Sequence, residues 1–241
     1  MFPLMKTIIK SVLYEFQEMI EAIIRDWPGQ LGVVIRRGYY RCRLKHLGRG
    51  VIIKPGVRLS GTRYISIGDY CTIAHHTIIQ AGPTTGLKAE CLSLDNPDYR
   101  GGAGEVVLGR YVYLSANCYI LGQGGVYIGD YSCCARDTTI LSFSNHYRSF
   151  KNPSDRSIYF THGCGPEHEC YLAGPVVLEN NTGVASHAVI LPCVTIGTDS
   201  FVGIGAVVHK GQYPANAYIA GTPGRVIHSR YAEASAEGNS R

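Results

Sequence analysis

A chain of 241 residues holds one sizeable domain with room for a small appendage, and it can bury a real core. Its 29 glycines and a charged fraction of only 17% suit tight corners and apolar rungs better than a helical bundle. A formal charge of +5 implies mild attraction to anions, yet the basic residues are spread out and never alternate with aromatics in a run, so nucleic acid is not an expected partner. Nine cysteines are an odd number, no secretory signal is evident, and Cys71, Cys118 and Cys134 fall on small or apolar positions of the repeat described below. They read as buried thiols in a reducing, cytoplasmic compartment. No run of about eighteen uninterrupted apolar residues occurs, so no transmembrane helix is expected.

From Leu4 to Asp26, apolar residues at Ile8, Ile9, Val12, Leu13, Phe16, Ile20, Ile23 and Ile24 have helical spacing, and Pro28-Gly29 ends the segment. A basic stretch follows, with Arg36, Arg37, Arg41, Arg43, Lys45 and Arg49 around Tyr39 and Tyr40. Residues 1–50 are therefore expected to form a helical cap on the domain that follows. An amphipathic, basic segment also suits peripheral contact with the anionic inner face of a membrane.

From Val51 a period of six takes over. Apolar residues fall at Ile53, Leu59, Ile67, Ile73, Ile79, Leu108, Leu114, Ile120, Ile128, Cys134, Ile140, Leu178, Val184, Ile190, Ile196, Val202 and Val208, each preceded two residues earlier by a small or β-branched residue. A six-residue period with one inward residue is the signature of a β-helix of hexapeptide repeats. Each rung is one side of a three-sided prism, and neighbouring coils supply the backbone hydrogen bonds that no rung makes alone. These rungs make about six coils.

The step departs from six in four places: Leu59 to Ile67, Ile79 to Leu108, Ile120 to Ile128, and Ile140 to Leu178. All four fall between the second and third sides of successive coils. Two are two-residue bulges, and two are long loops, 81–105 and 141–175. Long loops in compact domains are usually functional, so this one edge is expected to carry the site. After Val208, Tyr213-Pro214-Ala215-Asn216 and Ala220-Gly221-Thr222-Pro223-Gly224-Arg225 read as cap and turn chemistry, and residues 228–241 as a disordered tail. The domain expected from this is 51–227.

Ile67-Gly68-Asp69, Ile128-Gly129-Asp130, Gly174-Pro175-Val176-Val177-Leu178, the run from Val189 to Gly197 through Pro192-Cys193, and the close Ala220-Gly221-Thr222-Pro223-Gly224-Arg225-Val226-Ile227 resemble the hexapeptide-repeat acyltransferases. The likeness is to the maltose/galactoside O-acetyltransferase branch, including enzymes that decorate exopolysaccharides and lipopolysaccharides. It covers about Val51 to Ile227. It implies a left-handed parallel β-helix, a homotrimer with each active site between two subunits, acetyl-CoA as acyl donor along the repeat face, and a loop histidine as base.

That histidine corresponds to His146 in Ser144-Asn145-His146. A sugar hydroxyl is a poor nucleophile toward a thioester, and a neutral imidazole can take its proton during attack and return it to the departing thiolate. The resemblance places an oxyanion donor at Ser186, and Asn117 and Asn145 toward the acceptor; Asn117 reads equally well as a corner residue stacked along the prism. Gly203, Gly205 and Ala206 would let the pantetheine arm approach the backbone, and Lys210 and Arg225 would meet the phosphates.

Three positions depart from the family pattern. A tryptophan common after Gly-Pro-Val-Val is Gly183 here, which implies a roomier pocket; the proline after the histidine is Tyr147; and the aspartate expected after the Asn117 rung is replaced near Gly122. Monosaccharide specificity therefore does not carry over.

No metal is expected. His162, Cys164, His168 and Cys170 match no standard zinc spacing, and His75, His76 and His187 lack the His-x4-His spacing of a γ-class carbonic anhydrase. The function implied is O-acetylation of a sugar hydroxyl in bacterial surface-polysaccharide biosynthesis. N-acetylation of an amino sugar or small amine is the alternative, and a β-helix that binds glycan or membrane without chemistry is the other.

Overall fold

A computed structural model describes residues 15–84, 86–161 and 163–231. Residues 15–26 are helical (α1), while Ile8, Ile9, Val12 and Leu13 of the predicted helix lie outside the described residues. Pro28, extended at φ −77° and ψ 168°, breaks the chain before a second helix, α2 (Gly29–Arg41). Gly32 is required at their crossing, because a Cβ there would stand 2.0 Å from the Trp27 carbonyl oxygen.

Arg36 is fully buried rather than part of a basic surface. Its guanidinium donates to the carbonyls of Ile24 (3.1 Å), Arg25 (3.3 Å) and Trp27 (2.7 Å) at the end of α1, and to Ile53 in the first rungs (2.9 Å). A cation at a helix C-terminus satisfies orphan carbonyls and meets the negative end of the dipole. It thereby ties α1, α2 and the β-domain together. Tyr40 and Leu44 extend the contact by entering the hydrophobic core, so α2 closes that end of the prism.

The prism is a left-handed parallel β-helix. Its first face stacks Ile53, Ile73, Leu114, Cys134, Val184, Val202 and Ile219 in register. The second stacks Leu59, Ile79, Ile120, Ile140, Ile190 and Val208. The third stacks Leu47, Ile67, Leu108, Ile128, Leu178, Ile196 and Tyr213. The hexad register read from sequence is the observed one from Ile53 to Val208. Its small partners are inside too: Val57, Cys71, Thr77, Cys118, Ser132, Thr138, Thr182, Ala188 and Ser200 are all buried.

The buried hydroxyls turn to carbonyls of the coil. Thr77 Oγ1 donates to Ser115 O at 2.9 Å and Thr182 Oγ1 to Glu179 O at 2.7 Å, which removes the cost of burying them.

The ladder is longer than the sequence pattern suggested at both ends. His46–Leu47 already pairs with the third face, and beyond Val208 the segments Gly211–Tyr213 and Ala217–Ala220 add two more rungs. The step from Val208 to Tyr213 is five residues rather than six, and Pro214 follows it between the two rungs, which hid them. Nor does the ordered chain stop at 227: Arg225–Ser229 is an antiparallel strand against Ala217–Ala220, covering the edge of the first face. The expected tail from 228 therefore gives way to structure through Ser229, while residues 232–241 lie outside the described set.

Corners between faces need a left-handed residue. Tyr70, Tyr111 and Tyr131, at φ of 59°, 58° and 61°, occupy one corner, and their rings stack at 5.1 Å between successive centroids. The ring contacts help offset the αL cost that non-glycine residues carry.

Candidate functional site

The two long excursions leave from the corner between the second and third faces, and they pair with each other. Phe143–Asn145 and Cys170–Ala173 run antiparallel, and Glu90–Ser93 joins the latter in parallel, forming a small sheet outside the prism. Nothing in the hexads announced it, because the three strands come from two loops far apart in sequence. The first loop is further pinned to the third face, where Asn96 Nδ2 donates to Thr195 Oγ1 (2.9 Å) and to Pro175 O (3.1 Å), and Gln212 Nε2 donates to Asp98 (3.1 Å).

His146 stands directly after the strand Phe143–Asn145, half-buried, with its N–H donating to Cys170 O at 2.7 Å. Its Nδ1 lies 2.8 Å from Arg148 O. A carbonyl only accepts, so in the neutral ring Nδ1 carries the proton and Nε2 keeps a free lone pair. Phe150 stacks on the imidazole at 4.2 Å and Tyr147 lies beside it at 4.5 Å. The position that differs from the family's proline thus supplies an aromatic neighbour. Asn145 is exposed and shares with His146 a shallow cleft lined by Tyr159, Phe160, Glu169 and Tyr171.

Glu90 holds this turn from the other loop. Its carboxylate accepts from Ser149 Oγ (2.7 Å), Phe150 N–H (2.8 Å) and Lys151 N–H (2.9 Å). The Ser149 hydroxyl foremost lowers the carboxyl below its ordinary range; desolvation opposes it, and the Lys151 and Phe150 N–H groups add to the lowering.

A second concavity runs along the C-terminal half of the first face. It has a volume of about 480 Å3 and is lined by Cys133, Gly183, Ser186, Phe201, Gly203, Ile204 and Tyr218. Ser186 and Gly203 are thus brought together. Gly205 sits beside them at a left-handed corner (φ 65°), its N–H donating to Ser186 O at 3.0 Å, with nothing within 4 Å of where a Cβ would be. Ala206 is different: its methyl is fully buried in the prism, so only its backbone is available to a ligand.

Gly183 lines this groove, but the space beside it is bounded by an aromatic ring. Phe201 of the next coil covers that position, so that a Cβ on Gly183 would lie 2.7 Å from its ring. Tyr218 and His228 continue the stack at 6.1 Å and 4.8 Å. Following the outward residues past Val208 would have revealed this aromatic wall.

The remaining candidates stand elsewhere within one chain. Lys210 lines a separate cleft with Asp95, Asn96, Cys193 and Gln212 on the third face. Arg225 is exposed at the start of the final strand, opposite Ala220. Asn117 occupies a left-handed corner between the first and second faces (φ 60°) and donates to Asp137 Oδ1 at 3.0 Å, which favours the stacked-corner reading. His187 follows on the same corner, 3.7 Å from Asp137. His146 and the groove with Ser186 lie on different sides of the prism.

In the long loop His162 lies outside the described residues, His168 Nδ1 bonds to Ser157 O at 2.9 Å, Cys164 Sγ to Thr161 O at 2.9 Å, and Cys170 is buried in its strand. Among the described residues no three His, Cys, Asp or Glu side chains converge as metal ligands.

No protein-family model matches the chain. The galactoside O-acetyltransferase of Escherichia coli is 31% identical over 134 residues, which cover 56% of this chain and 59% of that one. The chain thus matches little more than half the length of that curated relative. Among solved structures, the N-acyltransferase AntD of Bacillus cereus, in complex with dTDP-4-amino-4,6-dideoxyglucose and coenzyme A, superimposes with a TM-score of 0.64 at 17% identity, covering 82% of this chain and 89% of AntD. The hexapeptide-repeat acetyltransferase of Vibrio cholerae does so with a TM-score of 0.55 at 17% identity, covering 92% and 93%. The fold is that of the hexapeptide-repeat acyltransferases. The sequence likeness to the galactoside enzyme agrees with it and covers little more than half of either chain.

Proposed function

We propose that this protein is an acetyl-CoA-dependent acyltransferase that transfers an acetyl group to a sugar hydroxyl, in the assembly of a bacterial surface polysaccharide. The observation that carries the reading is the His146 ring, whose Nδ1–H is committed to Arg148 O while Nε2 remains basic. In the reaction Nε2 takes the proton of the acceptor hydroxyl as its oxygen attacks the thioester carbon. The tetrahedral oxyanion is met by a backbone N–H at Ser186, and the C–S bond breaks as the imidazolium returns the proton to the thiolate. The first-face groove at Ser186 and Gly203 suits the pantetheine arm, and Lys210 and Arg225 suit the phosphates.

Since His146 and the groove lie on different sides of one prism, the reading requires a homotrimer in which the loop of one subunit faces the groove of the next. Replacing His146 by Ala tests it: acetyl transfer from acetyl-CoA to an acceptor-glycan panel, followed as released thiol, should fall to background while coenzyme A still raises the melting temperature. Retained transfer by the folded variant would falsify the mechanism, and failure of coenzyme A to shift the wild-type melting temperature would favour a β-helix that only binds.

The AntD likeness supports a second reading, N-acylation of an amino sugar, which the same base serves. Amine acceptors in the panel separate the two.

At the capped end, Phe16, Met19, Ile23, Trp27, Leu31 and Val34 are exposed on α1, α2 and the turn between them, near Arg37 and Arg41. We assign this surface to peripheral contact with the inner face of a membrane, where a lipid-linked acceptor would be found. No helix among the described residues is long and apolar enough to cross one.

A further inference from the structure

We propose that Glu90 is a positioning residue for His146, and that the first excursion, residues 81–105, belongs to the active-site machinery through this one carboxylate. The inference rests on the reading of His146 as the base.

The turn after His146 is short, and its geometry is set by few bonds. Downstream of the strand Phe143–Asn145, His146 N–H is held by Cys170 O, and the imidazole by Arg148 O. The next three residues all answer to Glu90: Ser149 through its hydroxyl, Phe150 and Lys151 through their N–H groups. Ser149 is itself buried and passes the constraint on, because its Oγ accepts from Asn152 N–H at 2.9 Å.

Phe150 is the link to chemistry. Its backbone is fixed by Glu90 at 2.8 Å and its ring stacks on the imidazole at 4.2 Å. Glu90 is thus two contacts from the ring without touching it. The carboxylate is also placed rigidly, since Glu90 pairs with Cys170 in the parallel ladder of the small sheet, and Cys170 is the residue whose carbonyl holds His146. Both ends of the turn are therefore referred to one ladder position. Three donors converging on one carboxylate are charge-assisted bonds, stronger than neutral ones. Without them nothing from the first loop holds the turn, which keeps the His146–Cys170 bond, the ring contact with Arg148 O and the local bond from Asn152 N–H to Ser149 Oγ. A base displaced by about 1 Å costs on the order of 100-fold in rate.

The test uses the full-length protein with 15N-labelled histidine and two variants, Glu90→Ala and Glu90→Asp, the second drawing the carboxylate back by one methylene should the first fail to fold. In the wild type the His146 ring shifts should report a proton on Nδ1 and a bare Nε2. In either variant they should move toward a mixture of the two tautomers. Acetyl transfer should show kcat reduced by about 10–100-fold with the KM for acetyl-CoA unchanged, because the groove on the first face is untouched. Wild-type ring shifts together with wild-type kcat in a folded variant overturn the proposal. The ring shifts do not depend on catalysis, so loss of the tautomer alongside an active His146→Ala protein sinks the function while leaving the clamp. The reverse pair of results sinks the clamp alone.

Discussion

The uninterrupted coils from Leu178 to Val208 and the loop edge that precedes them are built on opposite terms. In the coils every rung repeats the one below, inward side chains are fully buried, and the strands of each rung pair with the next coil. At the edge no element repeats. Three short strands from two loops assemble a sheet whose stability depends on specific side chains such as Glu90 and Asn96. Repetition makes a wall rigid and shallow, and a reactive group needs a place where repetition stops.

The largest expected effect falls on that edge. His146→Ala should lower acetyl transfer by about 100- to 10,000-fold, with melting temperature unchanged. Were the variant to unfold instead, the edge would be part of the structural core and the contrast would break.

Next comes the wall. Ile190, fully buried on the second face, should cost about 2–5 kcal/mol when replaced by Ala, read from urea unfolding. Leu172→Ala in the small sheet, where the residue is only half-buried, should cost clearly less. Equal losses would show that the two regions unfold as one unit of equal packing.

A smaller effect belongs to the corner stack. Tyr111 contacts a ring on either side, and Tyr111→Ala should destabilise by about 1 kcal/mol on the same urea scale. Least of all, Arg110→Ala should shift the urea midpoint less than Tyr111→Ala does, and by less still in high salt, because the arginine of its pair with Asp130 (2.6 Å) is exposed.

Acidity distinguishes the regions in another way. The Glu90 carboxyl lies below its ordinary range in the folded chain, so its contribution is complete at neutral pH and is lost as pH falls through that lowered value. Hydrogen exchange at the Phe150 and Lys151 amides should therefore stay protected into the ordinary carboxylate range and open only as pH falls through the lowered value, while amides of the Val189–Ile190 rung stay protected throughout.

The period of six, written in residues such as Ile128, Leu178 and Ile190 with their small partners, determined the prism, its three faces and the corner from which the loops leave. It could do so because each rung meets only its neighbours, so a local pattern is also the tertiary pattern. The sequence also singled out His146, and with Ser186 and Gly203 two residues that share a groove.

What surrounds them was decided only in three dimensions. Glu90 reaches Phe150 across 60 positions, Asn96 reaches Thr195 across 99, and Arg36 turns inward to hold α1 on the domain. None of these contacts has a period. They arise where the chain leaves the repeat, and there the partner of a side chain is chosen by the path of the loops rather than by spacing along the sequence.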